Sequence, residues 1–157
     1  MTEIFKKRKT VEQVEEGNEF APKFDENGLM PVVTTDAKTG DVLMLGYQNE
    51  EAVKLTIETG EAYYWSRSRK ALWQKGKTSG FVQKVIELRI DDDQDAIWLK
   101  VELQGLEASC HVGYKSCFYR SIPTGNVKED IKLIYKEDKK AFKPEEVYGD
   151  APNPTKL

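Results

Sequence analysis

Apolar and β-branched residues cluster along this chain in short runs set off by turn residues, a pattern of strands rather than of long helices. Leu29 to Thr35 and Asp41 to Tyr47 are two such runs, and the Gly-ended connection Asp36-Ala37-Lys38-Thr39-Gly40 between them predicts a β-hairpin. Asn49 then has the character of an N-cap, with Glu50 and Glu51 where the helix dipole favours negative charge. Ala52, Val53, Leu55, Thr56 and Ile57 continue that helix and Gly60 ends it. Ala62 to Ser66, Val82 to Ile90 and Ala96 to Leu103 read as further extended segments, the second with imperfect alternation. Before Gly28 the chain is polar, with a weak helical pattern at Val11 and Val14 and a turn at Asp25-Glu26-Asn27-Gly28. After Arg120 it turns at Pro123-Thr124-Gly125-Asn126, runs through a mixed stretch from Val127 to Tyr135, and ends in a charged, proline-punctuated tail from Lys136 to Leu157.

Composition narrows the class. At 157 residues, one core is expected, and 39% apolar against 32% charged residues gives no reason to expect general disorder. The net charge of -3 argues against a generic nucleic-acid binder, which needs a surplus of Lys and Arg. No apolar run approaches the roughly 20 residues of a membrane span, and the N-terminus lacks the apolar region of a secretory signal, so a cytoplasmic location is expected, with no membrane partner. In that reducing setting the two cysteines read as free or metal-bound rather than as a disulfide.

Three sets of residues could carry chemistry. Asp91, Asp93 and Asp95 alternate with Asp92 and Gln94, and on an extended backbone their carboxylates would share one face, a donor set for a hard cation such as Mg²⁺; the alternative is a solvated acidic turn. Cys110 and Cys117 are soft donors that suit zinc, although their spacing equally fits buried core cysteines. His111 would point away from Cys110 on an extended segment and stand ready for proton transfer. A basic, serine-rich loop supplies Arg69, Lys75 and Lys77 with hydroxyls and glycine N–H groups, fitting either a phosphate or solvent.

The sets occur together in a recognisable order: Trp65-Ser66-Arg67-Ser68-Arg69, Leu72-Trp73-Gln74-Lys75-Gly76, Thr78-Ser79-Gly80, the acidic run Asp91 to Asp95, Ser109-Cys110-His111-Val112-Gly113 and Ser116-Cys117-Phe118-Tyr119-Arg120. From about Gly28 to Arg120 the chain resembles the phosphoribosyl-AMP cyclohydrolase family. The resemblance implies a homodimeric zinc and magnesium hydrolase of histidine biosynthesis, in which zinc-bound hydroxide opens the N1–C6 bond of the adenine ring of N1-(5-phosphoribosyl)-AMP. It further implies Mg²⁺ at Asp91, Asp93 and Asp95, Zn²⁺ at Cys110 and Cys117, His111 as the proton-transferring catalytic residue, and substrate contacts from Trp65, Ser66, Arg67, Ser68, Arg69, Lys75, Thr78, Ser79 and Gly80.

The family's third zinc cysteine comes from the other subunit and lies within the acidic motif, where this chain has Asp92. With only two cysteines in the chain a three-thiolate site is impossible, which leaves Asp92 of the partner subunit, His111 or solvent to complete it. That departure keeps two other readings open, an altered metal-dependent purine-nucleotide hydrolase and a silent nucleotide-binding paralogue. The expected fold is α+β, a bent, mainly antiparallel sheet with one main helix, forming an obligate dimer with shared active sites. Residues 1–27 are expected as a polar arm, 28–122 as the catalytic domain and 123–157 as a polar C-terminal extension.

Overall fold

The computed structural model describes residues 3–105, 107–126 and 130–157. Residues 127–129, the start of the mixed stretch read from Val127 to Tyr135, lie outside the described residues, as do 1 and 2 at the head of the arm. Local signals account for most elements. Helix α1 (Val11–Glu16) begins at a capping box in which the Thr10 side chain accepts from Gln13 N and the Gln13 side chain returns to the Thr10 N–H. Strands β1 (Met30–Asp36) and β2 (Val42–Gln48) form the expected antiparallel hairpin. Helix α2 (Glu50–Thr59) starts where Asn49 accepts from Ala52 N and stops at Gly60, whose φ of 74° is the left-handed conformation that ends helices.

Strands β3 (Tyr63–Ser66) and β4 (Ala71–Gln74) pair as a second hairpin, Tyr64 opposite Trp73. The basic stretch is therefore not one continuous loop. Residues 67–70 form one turn and 75–79 another, because pairing with the aromatic strand draws Ala71–Gln74 between them into extended conformation. Strands β5 (Gln83–Ile90) and β6 (Ile97–Leu103) pair antiparallel, with a register shift between Val85 and Glu87. That irregularity explains the imperfect alternation: Ile86 is exposed, while Val85, Leu88 and Ile90 pack on the core.

The main sheet has the order β2-β1-β6-β5. Its pairs are antiparallel except β1 with β6, which run parallel from Val32 opposite Ile97 to Asp36 opposite Val101. The architecture is α+β with mainly antiparallel, mixed sheets, and among the described residues two short helices accompany the main one. β6 is central: Ile97, Leu99, Val101 and Leu103 are buried on one face, each contributing about 1.5–3 kcal/mol of burial. They join Met30, Val32, Leu43, Val53 of α2 and Tyr64 in one core.

Both polar ends of the chain pack onto this frame. Phe5, Phe20 and Phe24 of the arm lie against the core, and Ala21 is fully buried. Strand β7 (Arg120–Ser121) pairs with β8 (Ile134–Tyr135), and helix α3 (Pro144–Tyr148) follows. Phe142, just before α3, is buried against Phe81 and Ala108 with ring centroids 4.7 Å apart for the phenylalanine pair. Among the described residues, no helix is long and apolar enough to cross a membrane.

Candidate active site and metal ligands

The C-terminal end of β6 leads into a loop that carries both cysteines. The placement of His111 opposite Cys110 supposed an extended segment, and the structure has a turn there: Gly113 N donates to Cys110 O (3.0 Å) and Cys110 N to Tyr114 O (3.1 Å). The turn folds the chain back so that Cys117 N reaches Leu43 O (2.7 Å) on β2 and Ser116 Oγ reaches Val42 O (2.7 Å). Cys110 is buried, Cys117 is exposed as a residue, and their thiols share a hydrogen bond. That bond from Cys117 is the main cause that lowers the Cys110 thiol to about 6, against the effect of burial and with help from backbone N–H groups and the Lys75 charge. Cys117 is pushed up because it donates to the Cys110 thiolate. A thiol lowered at Cys110 beside one raised at Cys117 is a donor pair from which a soft cation would displace protons on binding.

Lys75 stands apart from the exposed arginines of the basic stretch. It is buried, its Nζ donates to Ser109 O (2.6 Å), and its ammonium lies 5.0 Å from the Trp73 ring. Desolvation lowers its pKa while both thiols oppose that shift, so Lys75 acts as the nearest buried cation to the cysteines. Gly76 makes the sharp bend behind it, at φ 90° with Val82 N only 2.3 Å from where a Cβ would sit. A buried polar chain supports Ser109 from the sheet side: Gln83 Nε2 donates to Ser109 Oγ (3.3 Å), and Gln83 Oε1 accepts from Tyr64 Oη (2.7 Å), which also meets Thr34 Oγ1 (2.7 Å).

His111 is half-buried, with Thr155 Oγ1 of the tail 3.4 Å from its Nε2 and Asn153 as a further neighbour. Burial lowers its pKa, Asn153 partly opposes this and Lys75 adds to it, which leaves a neutral imidazole near pH 7. Glu137 is a residue that no sequence pattern singled out. Its carboxylate accepts from Lys115 N (2.8 Å) and Ser116 N (2.9 Å), bracing the loop between the cysteines.

The β3–β4 turn holds the remaining basic groups. Trp65 and Ser66 are half-buried at the end of β3, while Arg67, Ser68 and Arg69 are exposed. The Arg67 guanidinium lies over Tyr47 at 4.0 Å, that of Arg69 over Trp73 at 5.6 Å, and Ser66 Oγ accepts from Arg69 N and Nε at 3.3 Å each. Thr78 and Gly80 are exposed, and Ser79 Oγ accepts from Phe81 N (3.2 Å).

The acidic run is also a turn, contrary to the extended reading. Asp91 Oδ1 accepts from Asp95 N (2.9 Å) and Ala96 N (3.1 Å), and Gln94 adopts φ 56°. Folding the run back brings ligand oxygens of Asp91, Asp93 and Asp95 within 4.8 Å of one another, a convergence the strand geometry would not give. Burial alone would raise Asp91, but the two backbone N–H groups lower it. Asp95 is raised to about 6, first by sharing a proton with Asp93, then by burial and by Asp91. Since this folded value lies above that of a free carboxyl, the metal-free turn contributes stability in acid that is lost as pH rises through about 6. A divalent cation bound at this turn would take the proton's place, and Mn²⁺ affinity measured by electron paramagnetic resonance is then expected to rise about tenfold per pH unit up to this value and level off. An affinity independent of pH between about 5 and 7 would contradict the shared proton.

The two donor sets lie at opposite ends of β6. Its seven residues give six steps of about 3.3 Å, so the strand between the acidic turn and the start of the cysteine loop is about 20 Å long. Asp92 stands at the acidic end.

The residues from 44 to 119 match the family model for phosphoribosyl-AMP cyclohydrolase. A phosphoribosyl-AMP cyclohydrolase of Nitrobacter winogradskyi is 54% identical over 140 residues, covering 89% of this chain and 94% of that protein. One from Rhodopseudomonas palustris is 54% identical over 138 residues (88% and 90%), and one from Brucella canis is 52% identical over 125 (80% and 90%). With the family model matched from 44 to 119 and similarity running through most of both chains, this protein belongs to the phosphoribosyl-AMP cyclohydrolase family.

Proposed function

We propose that this protein hydrolyses the N1–C6 bond of the adenine ring in N1-(5-phosphoribosyl)-AMP, the third step of histidine biosynthesis. The observation that carries this reading is the loop in which Cys110, Cys117, His111 and the buried Lys75 meet, in a chain 54% identical to a named cyclohydrolase over 89% of its length. In the reaction the oxygen of water ends on C6 as a carboxamide oxygen, the N1–C6 bond breaks, and the two protons of water end on N1 and on the exocyclic nitrogen of C6.

The residues fit the two metals this reading requires. The thiol pair offers two soft donors with one proton already largely displaced, which suits Zn²⁺, and the oxygen-only cluster of Asp91, Asp93 and Asp95 suits Mg²⁺. Zinc held by Cys110 and Cys117 would supply a Lewis acid for the attack of water. Around it, the chain's own groups do distinct work. Lys75 balances the thiolate charge and fixes the Ser109 carbonyl, while Glu137 holds the backbone between the cysteines. His111, neutral near pH 7, accepts a proton from water and returns it to N1. Arg67 and Arg69, with Ser66, Ser68, Thr78, Ser79 and the Gly80 backbone, bind the phosphates, and Trp65 lines the base side.

Two donors do not complete a zinc site, and among the described residues Asp92 does not converge with Cys110 and Cys117 of its own chain. That incomplete donor set supports a homodimer with shared active sites, in which Asp92 of the partner subunit approaches Cys110 and Cys117. A carboxylate there makes the centre harder than three thiolates would. A cytoplasmic enzyme acting on a small nucleotide, with no nucleic acid or membrane partner, follows from the same reading.

The test is a spectroscopic assay of purified, zinc-loaded protein on phosphoribosyl-AMP, with AMP as a control. Ring opening of the first and none of the second is expected. Inactivity with stoichiometric zinc bound would sink the assignment in favour of a silent nucleotide-binding paralogue.

A further inference from the structure

Within the acidic turn one side chain points inward. Gln94 is 5% exposed and fully hydrogen-bonded: Nε2 donates to Val14 O (2.9 Å) and Glu19 O (3.2 Å), and Oε1 accepts from Ala21 N (2.9 Å). Its backbone carbonyl accepts from Lys23 N (2.8 Å). All four of these bonds go to the N-terminal arm, which no pattern in the sequence connected with the acidic run. The remaining one, Gln94 N to Asp91 O (3.1 Å), closes the turn itself. The backbone at Gln94 is left-handed, a conformation glutamine rarely adopts and which is held here by the side chain's buried partners.

The arm is a firm anchor. Phe5 packs edge-on against Phe20 (5.4 Å) and Phe24 (5.8 Å), all three rest on the main core, and Arg8 donates to Ala21 O (2.7 Å). Against it, the turn crowds three carboxylates within 4.8 Å, a geometry that their mutual repulsion opposes. An unanchored turn of this composition would spread its charges; one pinned from beneath keeps them converged before any cation arrives.

We propose that Gln94 is a positioning residue for the cation site of Asp91, Asp93 and Asp95, and that the N-terminal arm, through it, sets the affinity of that site. The inference rests on reading the turn as a cation site. It is tested by Mn²⁺ titration of the full chain without substrate, followed by electron paramagnetic resonance, on Gln94→Met, which keeps side-chain volume, and Gln94→Gly, which keeps the left-handed backbone. Both variants are expected to bind Mn²⁺ about tenfold or more weakly and to be cut faster by trypsin within the arm, while the Co²⁺–thiolate absorption of the cysteine loop is unchanged. Unchanged Mn²⁺ affinity in both variants overturns the inference. So does an equal loss at the cobalt site, which would mark a general structural role. Failure of the unmodified protein to bind Mn²⁺ would remove the cation site itself, an outcome seen before any variant is made.

Discussion

Cys110→Ala is expected to abolish tight zinc binding and to lower turnover of phosphoribosyl-AMP by roughly a thousandfold. Several kcal/mol of charge stabilisation depend on a metal at the reacting carbon, and about 1.4 kcal/mol corresponds to each factor of ten in rate. Cys110 is the buried member of the pair and the one whose thiolate the surroundings favour, since the Cys117 hydrogen bond, backbone N–H groups and the Lys75 charge all act on it. Its removal leaves Cys117 alone, exposed and without the partner that shares its proton. Zinc content by atomic absorption and turnover should fall together. Full activity in a folded Cys110→Ala protein would eliminate the thiol-held zinc from the mechanism.

His111→Ala should separate proton transfer from metal binding. A positioned acid–base group contributes about 10²–10⁴-fold, so kcat is expected to drop within that range while zinc content and KM stay close to those of the parent. The pH profile gives the sharper readout. Because burial depresses the imidazole pKa, the neutral, proton-accepting form persists below the ordinary histidine range. The parent enzyme therefore loses kcat as pH falls through that depressed value, and His111→Ala lacks this acid limb. Asn153 partly opposes the depression, so Asn153→Ala should move the limb to lower pH. A variant that retains the acid limb without His111 would assign the proton transfer to another group.

Much of the fold was legible because its signals are local. Asn49 and Gly60 bound α2 through contacts within a few residues, and the hairpin of β1 and β2 follows from two apolar runs joined by a short Gly-ended turn. β4 was not legible. Ala71–Gln74 sits among basic residues and becomes a strand because Tyr63–Ser66 pairs with it. The parallel pairing of β1 with β6 likewise joins segments separated by β2, α2, β3, β4 and β5, information that no window of sequence contains.

The candidate site divides in the same way. Residue type and motif order determined which side chains are available: two thiols, one imidazole, a run of aspartates, a basic stretch, and Asp92 in place of a third cysteine. Tertiary structure decided how they are used. The acidic run converges its carboxylates by turning over a buried Gln94 rather than by lying on a strand, and Lys75 is drawn beneath the cysteine loop while Arg67 and Arg69 stay exposed. Glu137 and Thr155, from a tail that reads as solvated charge, reach the loop between the cysteines and the edge of His111. The physical reason is that donor chemistry belongs to each residue, whereas burial and backbone closure depend on the whole chain packing at once. Sequence alone therefore determined the ligand types and the family, and packing decided which of those groups face one another and in what state of charge.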